Sequence, residues 1–171
     1  MSTRKKSGLK ERLLRAVPVL GHYKIEEDIR EWDRSIRDEA VHNLTLAEDS
    51  LMSMLERAVD RRDRDIITQI ERSRRDLHMA KEKVNVAPYG YFPRSIPIKI
   101  QEEDLRAMLD IDEEIVDKTR SISEKIASLS TRFEGRENES LMDLKLLGED
   151  LKSIEELISR RTLRLRKGST E

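Results

Sequence analysis

Glu39 and His42 stand three residues apart in the segment EAVH. At that spacing one helical face offers a carboxylate and an imidazole to a single metal ion, as in di-metal carboxylate bundles. Such a centre needs a second pair, and the position three residues before His78 holds Arg75 instead. Ala40 carries the apolar stripe of this region, which sets Glu39 and His42 on its flank. No metal ligand is therefore expected from this pair, and His22 has no evident partner. The sequence contains no glycine-rich phosphate loop, no HExxH and no Ser-His-Asp arrangement of recognisable spacing. Cysteine is absent, which excludes disulfides, thiol nucleophiles and cysteine metal sites and favours a reducing compartment. The expectation is a chain with no catalytic residue and no cofactor, and a di-metal carboxylate enzyme is kept as a second alternative.

Charge is the next resource for recognition. The 34 Lys and Arg nearly cancel the 35 Asp and Glu, so no global field points to nucleic acid, and any electrostatic recognition must be local. The run Glu102 to Asp117 holds eight carboxylates against Arg106 alone. It reads as a helix start with a solvated acidic face, where carboxylates oppose the positive end of the helix dipole, or as a docking face for a basic partner. Two basic segments bracket the chain, Arg4 to Arg15 and Arg160 to Lys167. The second suits a helix C-terminus. The first is amphipathic, with Leu9, Leu13 and Leu14 on one side of a short unit over residues 1–20 closed by Pro18. Those leucines are candidates for contact with a membrane surface or a partner helix.

One stretch, VNVAPYGYFPRSIPIKIQ (84–101), departs from the rest: it collects three of the four prolines and three of the six aromatic residues. Pro88, Pro93 and Pro97 block helix, so residues 86–100 are expected to form an extended connection. Tyr89, Tyr91 and Phe92 then either pack on the protein's own helices as a strap or anchor a partner or a second copy.

The elements that must position these residues follow from periodicity. Apolar or small residues step by three or four through Ile29, Trp32, Ile36, Ala40, Leu44, Ala47, Leu51, Met54 and Ala58, and again through Ile66, Ile70, Ser73, Leu77, Ala80 and Val84. A third stripe runs from Leu105 to Phe133 and is interrupted at Asp112 and Thr119, and a fourth runs from Leu144 to Ile158. These patterns predict helices near 23–60, 64–85, 102–133 and 138–165. The first is expected to open on an acidic turn at Glu26, Glu27 and Asp28. Sustained three-four spacing implies coiled-coil-like packing. The predicted fold is all-α: an elongated antiparallel bundle of two long helical hairpins joined by the Pro/aromatic segment, occupying 21–167 as one domain, with 168–171 a disordered tail.

Within VLGHYKIEEDIREWDRSIRD (19–38), the spacing of Gly21, Tyr23, Lys24, Arg30, Asp33 and Arg37 resembles the opening of a group of uncharacterised helical prokaryotic proteins. In that group a Gly-Tyr-Lys segment leads into a helix and an aromatic segment precedes a later acidic helix, as Tyr91 and Phe92 precede Asp104 here. The resemblance implies a helical fold and a prokaryotic source and transfers no activity. The short amphipathic N-terminal segment also invites comparison with ESCRT-III and phage-shock membrane-remodelling proteins. Their first hairpin is basic, whereas the helix beginning at Lys24 opens on acidic residues.

No segment approaches the length of apolar sequence that spans a bilayer, and no secretion signal is read at the N-terminus. The sequence favours a cytoplasmic, non-enzymatic module for protein–protein interaction or assembly, with a protein partner or a homo-oligomer. Peripheral membrane-surface binding or remodelling through the N-terminal segment is the first alternative.

Overall fold

The computed structural model describes residues 10–11, 22–87, 102–133 and 137–167. Four long helices account for nearly all of them: α1 (His22–Arg61), α2 (Arg64–Val86), α3 (Glu102–Arg132) and α4 (Glu137–Lys167), with no strand among the described residues. The first helix starts earlier than the acidic signal suggests. With His22 as its first residue, its first turn holds no carboxylate, and positions 26–28 fall in the second.

Each helix buries the stripe that its sequence shows, except at the end of α4, where Leu157 is buried and Ile158 is half-buried. Ile29, Trp32, Ile36, Ala40, Leu44, Ala47, Leu51, Met54 and Ala58 line the buried side of α1, and Ile66, Ile70, Ser73, Leu77, Ala80 and Val84 that of α2. α1 packs on α2 and α3, and α4 packs on the same two, so α1 and α4 lie across a diagonal. Side-chain pairs give the chain directions. Arg37 meets the last turn of α2 and Glu48 meets Lys81, so α1 and α2 are opposed. Trp32 meets Asp112 and Arg57 meets Ser130, so α3 runs with α1. Arg132 meets Asp143 and Arg164 meets Asp104, so α4 runs against α3.

One end of the bundle, the near end, holds the α1–α2 turn and the α3–α4 connection. The far end holds the start of α1, the end of α2, the start of α3 and the end of α4. The ends joined by residues 88–101 thus lie at the same end of the bundle, and no run down its length is required to connect them. α2 also stops short. Between His22 and the level of Arg37, α1 continues for about 22 Å at about 1.5 Å per residue.

At the near end two residues, Arg62 and Asp63, reverse the chain. The Arg62 N–H donates to the Val59 carbonyl at 3.0 Å and the Asp63 N–H to the Ala58 carbonyl at 3.3 Å. This is the paired closure of a helix end that calls for a left-handed residue, usually glycine, just beyond the helix. Arg62 takes that conformation with φ 58°. Asp63 then caps α2, its carboxylate accepting from the Ile66 N–H at 3.2 Å. Phe133 closes the core beside this turn, with the guanidinium groups of Arg57 and Arg61 within 6 Å of its ring centre.

The left-handed arginine costs about 1–2 kcal/mol, against about 0.5–1 kcal/mol for the extra freedom of glycine in the unfolded chain. Arg62→Gly is therefore expected to stabilise the protein by about 0.5–1 kcal/mol. Urea unfolding of the variant beside the parent checks it, and destabilisation would mean that the Arg62 side chain holds the turn.

Candidate functional site

The buried core is divided. A large cluster runs from Ala40 and Val84 to Phe133 at the near end, and a smaller one gathers Ile29, Trp32, Ile36, Leu105, Met108, Leu109 and Val116 towards the far end. Near their junction lie four charged side chains, all buried: Asp33 and Arg37 of α1, Asp112 of α3 and Arg161 of α4.

Their geometry leaves little hydrogen-bonding capacity unused. Arg161 Nε donates to Asp112 Oδ1 at 2.5 Å, and its Nη2 donates to Asp33 Oδ1. Trp32 Nε1 donates to the second oxygen of Asp112 at 3.0 Å. Arg37 grips Asp33 with two parallel bonds, Nε to Oδ2 at 3.0 Å and Nη2 to Oδ1 at 3.2 Å. Its remaining nitrogen, Nη1, donates to the carbonyls of Val84 and Asn85 at 2.7 and 3.1 Å. Arg37 thus closes the C-terminus of α2, where carbonyls lack helical partners and the dipole favours a cation. Two carboxylates and two guanidinium groups sum to zero, and their bonds reach all four helices.

Burial pushes the Asp112 carboxyl up from the ordinary aspartate range, opposed by the charge and hydrogen bond of Arg161 and by the bond from Trp32. For Arg161, burial works downward and is outweighed by the charges and hydrogen bonds of Asp112 and Asp33, so its net shift is upward. The two directions disagree about the same ion pair, since one favours the charged pair and the other does not. Arg161 decides the state near neutrality, because a guanidinium does not give up its proton in proteins and its donors need acceptors. Asp112 decides how readily acid breaks the pair.

A second polar contact sits between α1 and α3, where Asn43 Nδ2 donates to Thr119 Oγ1 at 3.2 Å and Thr119 donates to the Val116 carbonyl at 2.9 Å. Asp112 and Thr119, the two interruptions of the α3 stripe, thus both make buried polar contacts with α1. Asp33 and Arg37 belong to the opening pattern of the first helix and form its buried bidentate pair. Arg161 lies in a basic segment that suits a helix C-terminus, and a step of three beyond Ile158 lands on it.

The cleft beside the quartet, lined by Asp33, Arg37, Ala87, Asp112 and Arg161 among others, measures about 20 Å³. That is the scale of one water molecule and far below an organic substrate. Two larger grooves follow the α3–α4 seam, one of about 470 Å³ with Ala107, Ile111 and Leu163 at the far end and one of about 480 Å³ with Ile126, Leu129 and Leu146 towards the near end. Of the residues considered for metal, Glu39 accepts from Arg120 Nη2 at 2.6 Å and His42 and His78 are exposed. Tyr89, Tyr91, Phe92, Leu9, Leu13 and Leu14 lie outside the described residues. Comparison with protein-family models, curated proteins and solved structures finds no match.

Removing Arg161 alone leaves Asp112 and Asp33 competing for too few donors, so Arg161→Met is expected to cost about 3–5 kcal/mol. Adding Asp112→Asn, which keeps an acceptor for Trp32 and removes one stranded charge, should recover part of that loss. A double-mutant cycle by urea unfolding measures it, and simple additivity would show that the two groups do not depend on each other.

Acid separates two carboxylates. The folded state raises the Asp112 value, so its contribution to stability is fullest below the unfolded value of about 4 and falls as pH rises through the folded value. Asp150 behaves oppositely: burial raises it, but hydrogen bonds from Lys125 and Lys118 at 2.7 and 2.9 Å outweigh this and lower it. Its contribution is present above about 4 and is lost as pH falls through the lowered folded value. Relative to Asp112→Asn the parent should gain stability on acidification, and relative to Asp150→Asn it should lose stability. The same sign in both comparisons would refute the assignment.

Proposed function

We propose that the protein is a non-enzymatic interaction or assembly module, a rigid bundle that offers the aromatic segment 88–101 from its far end. The observation that carries this reading is the mounting of that segment. Arg37 fixes the last turn of α2 through the carbonyls of Val84 and Asn85, and the next residue, Val86, is 71% exposed. An exposed valine on a pinned helix end, followed after the buried Ala87 by Pro88, Tyr89, Tyr91 and Phe92, provides an apolar anchor of the kind that dominates interfaces. Pinning both lowers the ordering cost of binding and keeps the exit direction constant.

The reading includes two helical hairpins joined by an extended connection that begins after Val86, the last residue of α2, rather than at it, with a second copy of the chain as the partner and the cytoplasm as the location. The cysteine-free composition accords with a reducing compartment, and no described helix is long and apolar enough to cross a membrane.

Phe92→Ala tests the proposal. Sedimentation equilibrium should show self-association of the parent that the variant loses, while the melting temperature of the dilute protein is unchanged. A variant that still associates but is destabilised by about 3 kcal/mol or more would make the segment a strap packed on its own bundle and would overturn the interface.

A further inference from the structure

Two opposite faces of the bundle carry matching features. α1 and α4 lie across a diagonal, so the α1–α2 face and the α3–α4 face point away from each other. On the first, Met52 and Val59 stand seven residues apart, about 10 Å along α1, and are 42% and 53% exposed. Their side of α1 is set by Glu48, one turn before Met52, which meets Lys81 of α2. Together they form a short apolar ridge. Asp49 and Glu56, both exposed, each precede a ridge residue by three and share its face. Across the seam Arg74 lies one heptad before Lys81, and its Nε is buried without an acceptor.

The opposite face carries the groove of about 480 Å³, floored by Ile126, Leu129 and Leu147, with Leu146 50% exposed at its edge. Two ion pairs cross it, Lys125 with Asp150 at 2.7 Å and Arg132 with Asp143 at 3.1 Å. They are seven residues apart on both helices, which is the spacing of the ridge. The cations stand on α3 and the carboxylates on α4, where Glu149 is also exposed. Ridge and groove lie at one level of the bundle, since Arg57 of α1 bonds to Ser130 of α3.

We propose that the groove receives the ridge of a second copy, so that bundles associate side by side and head to tail. Within one bundle α1 adjoins α3 and α2 adjoins α4. A copy displaced sideways therefore brings its α1 against α3 and its α2 against α4. Asp49 and Glu56 then face Lys125 and Arg132, while Arg74 faces Glu149, so each wall meets the opposite sign. Lys125 and Arg132 keep donors beyond the pairs they already make. The occupant is this chain because spacing, level and both charged walls match within it. Ridge and groove are different surfaces, so the contact is heterologous and the assembly grows without closing. The proposal deepens the assembly reading and rests on it, through a surface separate from segment 88–101. Being small, this contact belongs to the weak end of interfaces and forms at concentrations above those of the aromatic one.

Sedimentation equilibrium of the full chain carrying Phe92→Ala, which removes the aromatic contact, tests it from dilute to concentrated protein. The average mass should climb past the dimer. Met52→Lys/Val59→Lys, at exposed positions where lysine suits a helix, should weaken this growth about tenfold or more, and so should Leu146→Lys. If circular dichroism shows lost helix in either, glutamine replaces lysine at the same positions. Mixed in equal amounts, the ridge and groove variants should form one-to-one pairs and nothing larger, because one keeps its groove and the other its ridge. A mass that stays at the monomer, growth that stops at the dimer, or variants that do not pair when mixed would overturn the proposal. Failure of the aromatic interface is read separately, in whether Phe92→Ala alters self-association of the dilute parent. If Phe92→Ala instead lowers the melting temperature, the segment is a strap, and the same substitutions are read in the parent chain.

Discussion

A guanidinium buried in a protein must find acceptors, and the demands of Arg161 tie the bundle together. α1 and α4 are not packed against each other, yet Arg161 of α4 reaches Asp33 of α1 while its Nε binds Asp112 of α3. Asp33 in turn holds Arg37, and Arg37 holds the end of α2. One chain of charge-assisted bonds therefore passes through four helices whose apolar contacts are made only between neighbours. Charge-assisted pairs in a dry interior are strong when complete and costly when broken. The far end consequently behaves as a unit: the position of α2's last turn depends on a residue at the other end of the sequence.

The same economy of charge organises the surface around it. α3 carries an excess of carboxylates that would repel one another if left alone, and the pairs seen along it bring in Lys10, Arg120, Arg160, Arg161 and Arg164. Of these, only the Arg161 pair is deeply buried, and it is the one whose loss is costly. The exposed pairs, Arg160 with Glu114 and Arg164 with Asp104, are of the kind that contribute little each. They line the last turns of α4 along α3, which the buried Arg161 pair fastens.

The all-helical fold was legible because it rests on local periodicity: steps of three and four recur through every long stripe, and the residues on those steps are the buried ones except at Ile158, whose place Leu157 takes. The site was legible only as irregularity. Asp112 and Thr119 broke the α3 stripe and Glu39 stood beside His42, but sequence spacing does not say which breaks meet. Arg161 was hidden for a specific reason. It sits in the segment RRTLRLRK, where a cation already has an adequate explanation at a helix C-terminus. Nothing in one chain's sequence distinguishes the inward arginine from its neighbours Arg160 and Arg164 except its place on the stripe, three residues beyond Ile158. Which helices are neighbours is equally hidden, since the same steps recur in all four stripes.

That degeneracy is also a physical problem for the protein, and the polar contacts address it. Apolar stripes with steps of three and four fit one another almost as well after one helix slides by seven residues, because a leucine or isoleucine meets another leucine or isoleucine. A slide of α3 along α1 by one heptad would bring Thr119 to the level of Trp32 and carry Asp112 away from both Trp32 Nε1 and Arg161. The carboxylate would then be buried without the donors it holds now and the guanidinium would keep Asp33 but lose Asp112, a penalty of several kcal/mol that the apolar contacts regained elsewhere would not offset. Asn43 with Thr119 repeats the discrimination one heptad further along the same seam. Two polar contacts seven residues apart on α3 thus exclude shifted registers that the apolar stripes alone would tolerate.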